Sequence, residues 1–223
     1  MAEYSDENNH EAIQLSNREI FTKIWTSPRM VMKSINENRY NDLTTILLIF
    51  AGINGSFNRA ENTNMGDHMS LFSVLAICII GGAVFGWISF NIYSTLLSWT
   101  GKWLKGQGNT RSLLRMVSYT TIPSLVALCM IVLRITLFGN QEFQKHVDIF
   151  DNGILSGIVY GFSLLIEIGM GIWTIVILVT GISEVQKLPI GKSILNMILP
   201  VLLLCAILIP IGAIAFIAGD FMK

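Results

Sequence analysis

Charge, histidine and cysteine are all scarce in this 223-residue sequence, and each scarcity removes a class of function. Only 13% of the residues are charged, against about a quarter in an ordinary globular protein. With 52% hydrophobic residues and a mean hydropathy of +0.58, the chain is too apolar for a soluble domain. His10, His68 and His146 are scattered, and Cys78, Cys129 and Cys205 lie in three separate apolar runs. No zinc-type ligand cluster and no disulfide framework is expected from them. Asp42, Asp67, Asp148, Asp151 and Asp220 all fall in loops or at the ends of apolar runs, so an intramembrane aspartyl pair is excluded. Serines within the runs have no histidine base at their depth. Gly106-Gln107-Gly108 has neither a preceding strand nor a following GK[ST], so it is not a nucleotide-phosphate loop. No metal, no cofactor and no enzymatic activity are expected. A secretory signal is missing too. Met1 to Asn17 is polar and acid-leaning (Glu3, Asp6, Glu7, Glu11) and reads as a disordered tail.

What the chain has instead is long apolar runs. Leu43 to Phe57, Leu71 to Ser98, Val117 to Phe138, Gly153 to Thr180 and Ser193 to Ala218 predict five membrane-spanning helices in a domain covering residues 41–223. The first is short. Its 15 residues reach only ~22 Å against a ~30 Å hydrocarbon core. Ahead of it, residues 18–40 carry Ile20, Phe21, Ile24 and Trp25, then Val31, Met32 and Ile35, at one-face helical spacing among basic residues. Ser27-Pro28 reads as an N-cap with proline at the first helical position. That segment either lies in the headgroup zone or packs on the cytoplasmic end of the bundle. Pro123 stands in the first turns of the third run, and Pro200 and Pro210 predict kinks in the fifth.

Orientation follows from the placement of cations. The connector between the second and third runs holds Lys102, Lys105, Arg111 and Arg115 and no acid, which marks it as cytoplasmic. Five crossings from a cytoplasmic N-terminus place eleven Lys and Arg inside (residues 18, 23, 29, 33, 39, 102, 105, 111, 115, 187 and 192) and three outside (59, 145 and 223). If the short first run does not cross, the balance falls to six against eight. Five crossings are favoured, with the C-terminus outside. The loop from Gly139 to Asn152, with Glu142, Asp148 and Asp151, fits the outer side. The basic surface predicts contact with anionic lipid headgroups and no nucleic-acid binding.

Two features remain within the runs. Gly82 and Gly86, and Gly153, Gly157 and Gly161, form bare stripes that let another helix backbone approach. Arg134 and Glu167 are intramembrane charges, each costing about 2.5–3.5 kcal/mol at mid-bilayer. Arg134 either snorkels to the outer headgroups or pairs with Glu167 across an axial gap of ~8 Å.

Four short motifs recur in a known order. Ile24-Trp25, Ser27, Pro28 and Arg29 form IW-x-SPR; Trp99 to Thr110 gives W-x-GK-x-L-x-G-x-GNT, with Gly101, Gly106 and Gly108; Ser118 to Pro123 is SYTTIP; and Gly181 to Gln186 is GISEVQ, with Glu184. Together they resemble the bacterial branch of the Yip (Ypt-interacting protein) domain family, over about residues 20–218. The resemblance implies an all-α, five-helix integral membrane protein with a cytoplasmic N-terminus and no catalytic activity, in a bacterial inner membrane. Eukaryotic members of that family act in vesicle trafficking and bind Rab-type GTPases, but the DLYGP and YGYS motifs are missing here, so Rab binding is not carried over. Some bacterial relatives accompany ABC-type exporters. Two functions stay open: a scaffold or accessory subunit for membrane partners or for a homo-oligomer, and a small channel or proton-coupled transporter using Glu167.

Overall fold

A computed structural model describes residues 14–147, 150 and 153–221, with side chains as far as Pro210. Most of the tail at 1–17 and the acids Asp148 and Asp151 lie outside the described residues. The chain is a helical bundle, with no strand among the described residues.

Two short helices open it. In α1 (Asn17–Lys23), Ser16 and Glu19 form a reciprocal capping box. Lys23, with Ser16, holds the Glu19 carboxyl down to about 2. In α2 (Pro28–Asn38) Pro28 occupies the first turn after Ser27, whose side chain makes no capping bond. Ile20, Ile24, Val31, Met32 and Ile35 are fully buried, and α2 packs on α6 and α8. The amphipathic stripe is therefore covered by protein.

The remaining helices follow: α3 (Thr44–Asn62), α4 (Leu71–Ala76), α5 (Gly82–Trp103), α6 (Thr110–Thr120), α7 (Ile122–Phe138), α8 (Ile154–Gln186) and α9 (Ile190–Phe221). A π-helical turn, Ile77–Gly81, joins α4 to α5. Four segments are long and apolar enough to cross a membrane: Leu71–Trp103, Ile122–Phe143, Ile154–Gln186 and Ile190–Pro210. This is a multi-pass membrane protein, and its exposed Ile, Leu, Phe and Trp side chains face lipid. Helix α3 is not among the four, because Asn54, Asn58, Arg59 and Glu61 dilute its apolar character. It nevertheless packs along both α5 and α7.

Boundaries differ from the sequence reading in three places. The third run breaks at Thr121, ahead of Pro123, so residues 110–120 form a separate and largely buried helix. GISEVQ, which lies beyond the predicted end of the fourth run at Thr180, is the last turn and a half of α8. Glu142, read as an outer-loop acid, is 1% exposed inside a 3₁₀ turn. Gly139 makes that turn possible: its φ of +57° and ψ of −128° suit glycine alone and fold the chain back after α7.

Candidate functional site

The glycine stripes show how the helices are set. A Cβ on Gly52 would lie 2.7 Å from Gly86 Cα, and one on Gly82 would lie 2.8 Å from Ile53 Cα. Thus Gly82 and Gly86 bring α5 against α3, with Gly52 as the facing glycine that the sequence reading passed over. The α8 stripe is different. Gly157 is covered by the Phe150 ring, while Gly161, Gly169 and Gly171 have no atom within 4 Å of a Cβ position, and nothing lies near Gly153 either.

At the basic end, the family-motif glycines enclose one side chain. Gln186 accepts from Gly108 N at 2.8 Å and donates to Leu97 O at 3.1 Å, while its carbonyl accepts from Gln107 N at 3.1 Å. A Cβ on Gly101 or Gly106 would come within 3 Å of the Gln186 amide carbon. Gly181 lies against Met116 and Met32, which locks α8 to α6 and α2. Glu184 bridges Arg29 at 3.8 Å and Lys187 at 2.5 Å. Trp25 is half-buried beside this core, and Trp99 and Trp103 stand exposed edge to face at 5.0 Å. These motif residues form a joint between elements.

The opposite half of the bundle holds a cluster of charged side chains around Arg134. Arg134, on α7, is fully buried, so it does not snorkel to a headgroup. Its Nε donates to Glu142 Oε1 at 2.5 Å and its Nη2 to Glu61 Oε2 at 3.1 Å. Nη1 donates to Glu167 and, at 3.3 Å, to Ser163 Oγ. Tyr160 places its ring 5.4 Å from the guanidinium carbon and is itself met edge-on by Phe138. One cation therefore faces three carboxylates drawn from α3, α8 and the turn after α7. Glu142 Oε2 is buried with no partner among the described residues. Sequence reasoning found Arg134 and Glu167 and missed Glu61, Glu142, Tyr160 and Ser163. Beside the cluster, Asn54, Asn58, Ser124, Thr174 and Glu167 line a cleft of about 280 Å³ between α3, α7 and α8.

The Yip1 domain family model matches residues 22–211. The chain belongs to the Yip1 domain family. No curated protein and no solved structure gives a match. Within the Yip1 domain lie all four sequence motifs and the whole Arg134 cluster. Among the described residues no group of three or more His, Cys, Asp or Glu is placed to hold a metal.

Proposed function

We propose that this Yip1-family protein is a non-catalytic scaffold or accessory subunit, crossing a bacterial inner membrane five times with its N-terminus in the cytoplasm and its C-terminus outside. Residues 18–40 serve as a cytoplasmic cover on the 41–223 bundle. The observation that carries the reading is the contrast between two glycine stripes. The one on α5 is consumed inside the chain by Gly52. The one on α8 remains open at Gly161, Gly169 and Gly171, among exposed Ile158, Phe162, Leu165 and Ile172. An open small-residue face in lipid suits a second transmembrane helix, with a second copy of this chain as the simplest occupant. Crosslinking in native membranes should trap that copy at stoichiometric yield, and Gly161→Leu should lower the yield severalfold while the protein still folds. A chain that stays monomeric and recovers no stoichiometric partner overturns the reading.

A second reading, a proton- or cation-coupled conduit using Glu167, is favoured by the cleft and the cluster beside it. Three carboxylates against one arginine leave a formal excess of two negative charges if all ionise, which a low-dielectric site meets by taking up protons or a cation. In proteoliposomes Glu167→Gln should abolish flux and leave the fold intact. If the purified protein moves no ion, or if Glu167→Gln is silent, the conduit reading fails.

A further inference from the structure

At the basic end, away from the Arg134 cluster, a cleft of about 730 Å³ opens between the α2–α3 connection and the first turns of α6. Arg39, Asn41 and Thr44 line one wall; Asn109, Arg111 and Arg115 line the other, and no carboxylate lines either. Arg115 is the unusual member. It is 7% exposed, its Nε donates to Asn41 Oδ1 at 2.9 Å, and its Nη1 is buried with no partner among the described residues. Thr44 Oγ1 is buried and unpartnered in the same way. None of the three arginines has a carboxylate oxygen within 4.0 Å among the described residues, whereas Arg29 and Arg134 both do. Burial, and then the like charge of Arg39, pull the Arg115 guanidinium below its ordinary range.

A buried cation without a counter-ion is costly, and a neighbouring cation makes it costlier. The fold gathers such groups around a space large enough for a ligand. Helix α6 adds the positive end of its dipole, with Asn109 capping Ser112 N at 2.9 Å. Guanidinium forks beside a helix N-terminus match a tetrahedral oxyanion. The level of the cleft indicates the source of that oxyanion. Helix α3 begins at the cleft and exposes Ile46 and Phe50 within its first two turns, so the cleft stands where the chain passes from water into lipid. We propose that this cleft binds the phosphate of an anionic phospholipid headgroup. This goes beyond general attraction of a basic surface to a charged leaflet, because it assigns one headgroup to one place through Arg39, Arg111 and Arg115.

The test uses the full chain in nanodiscs of phosphatidylglycerol or phosphatidylcholine with the same acyl chains, released and weighed by native mass spectrometry. One retained phosphatidylglycerol per chain is expected, with phosphatidylcholine held far less. Arg39→Gln and Arg111→Gln change exposed side chains and leave the packing alone. Each should lower retention about fivefold, as one lost cation near an anionic surface implies. Arg115→Gln should lower it at least as much. Equal retention of the two lipids, or retention unaffected by Arg39→Gln and Arg111→Gln, overturns the assignment. Inorganic phosphate that displaces the lipid as well as a soluble phosphatidylglycerol headgroup does would show that the site takes a free anion, and would overturn the lipid source.

Discussion

Arg134 illustrates what one residue demands of a membrane bundle. A guanidinium presents five N–H donors in a fixed plane, and here four of its bonds go to three carboxylates and a serine. Arg134→Leu would leave Glu61, Glu142 and Glu167 facing one another with no cation. Removing one partner of a buried ion pair costs about 3–5 kcal/mol. The expected outcome is a large fall in melting temperature in detergent, with a smaller fall for Arg134→Lys, whose compact ammonium keeps the charge and loses the fork. An unchanged melting temperature for Arg134→Leu would refute the view that the cluster holds α3, α7 and α8 together. The sequence makes the Arg134 side of this cluster legible, because a charge inside an apolar run stands out. Glu61 and Glu142 do not stand out. Each lies past the end of an apolar run, where an acid reads as solvent-facing, and each is carried inward only by tertiary packing. Gly139 is the local signal that could have found Glu142, since a glycine at a helix end marks a place where the chain can double back.

At the scale of elements, close approach of backbones decides the architecture. Long apolar periodicity makes α5, α7, α8 and α9 readable directly, and the spacing of Gly82 and Gly86 marks a packing face. Its partner is not readable, because Gly52 sits in α3, a helix more polar than α5, α7, α8 or α9, and only the fold reveals which helix faces it. Substituting Gly86→Leu inserts a side chain where Gly52 backbone already stands, so the α3–α5 contact must open. Overpacking of this kind costs about 1–3 kcal/mol or more. Protease sensitivity in the α3–α4 connection should rise for Gly86→Leu and stay unchanged for Gly161→Leu, whose position is empty. Equal sensitivity of the two variants would show that the two stripes do the same job. The GISEVQ segment teaches a similar lesson from the other end. As a motif it lies past the end of the fourth apolar run, beside Pro189, whereas its Gln186 is the peg around which Gly101, Gly106 and Gly108 close.

For the whole molecule the open number is the count of crossings, and α3 decides it. With 19 residues it spans ~28 Å, close to the hydrocarbon thickness and longer than the 15-residue apolar run alone. Its start lies beside Arg115, which donates to Asn41, and its end lies beside the Arg134 cluster through Glu61. Beyond α3, Gly66 O accepts from Asn140 Nδ2 at 3.0 Å and from Gln144 Nε2 at 3.2 Å, so the α3–α4 connection and the turn after α7 share one face. The opposite face gathers α2, the α5–α6 connector and the end of α8. A lipid slab perpendicular to the bundle must then separate Gly66 and Gln144 from Gly106 and Lys187. Phosphatase reporters fused after Gly66 and after Gln144 should both be active, as expected outside the cytoplasm, while those after Gly106 and Lys187 should be inactive. Activity after Gln144 with none after Gly66 would mean that α3 stays on the cytoplasmic side. In that case the bonds from Asn140 and Gln144 to Gly66 could not form in the membrane, and the pairing of Glu61 with Arg134 would fall with them.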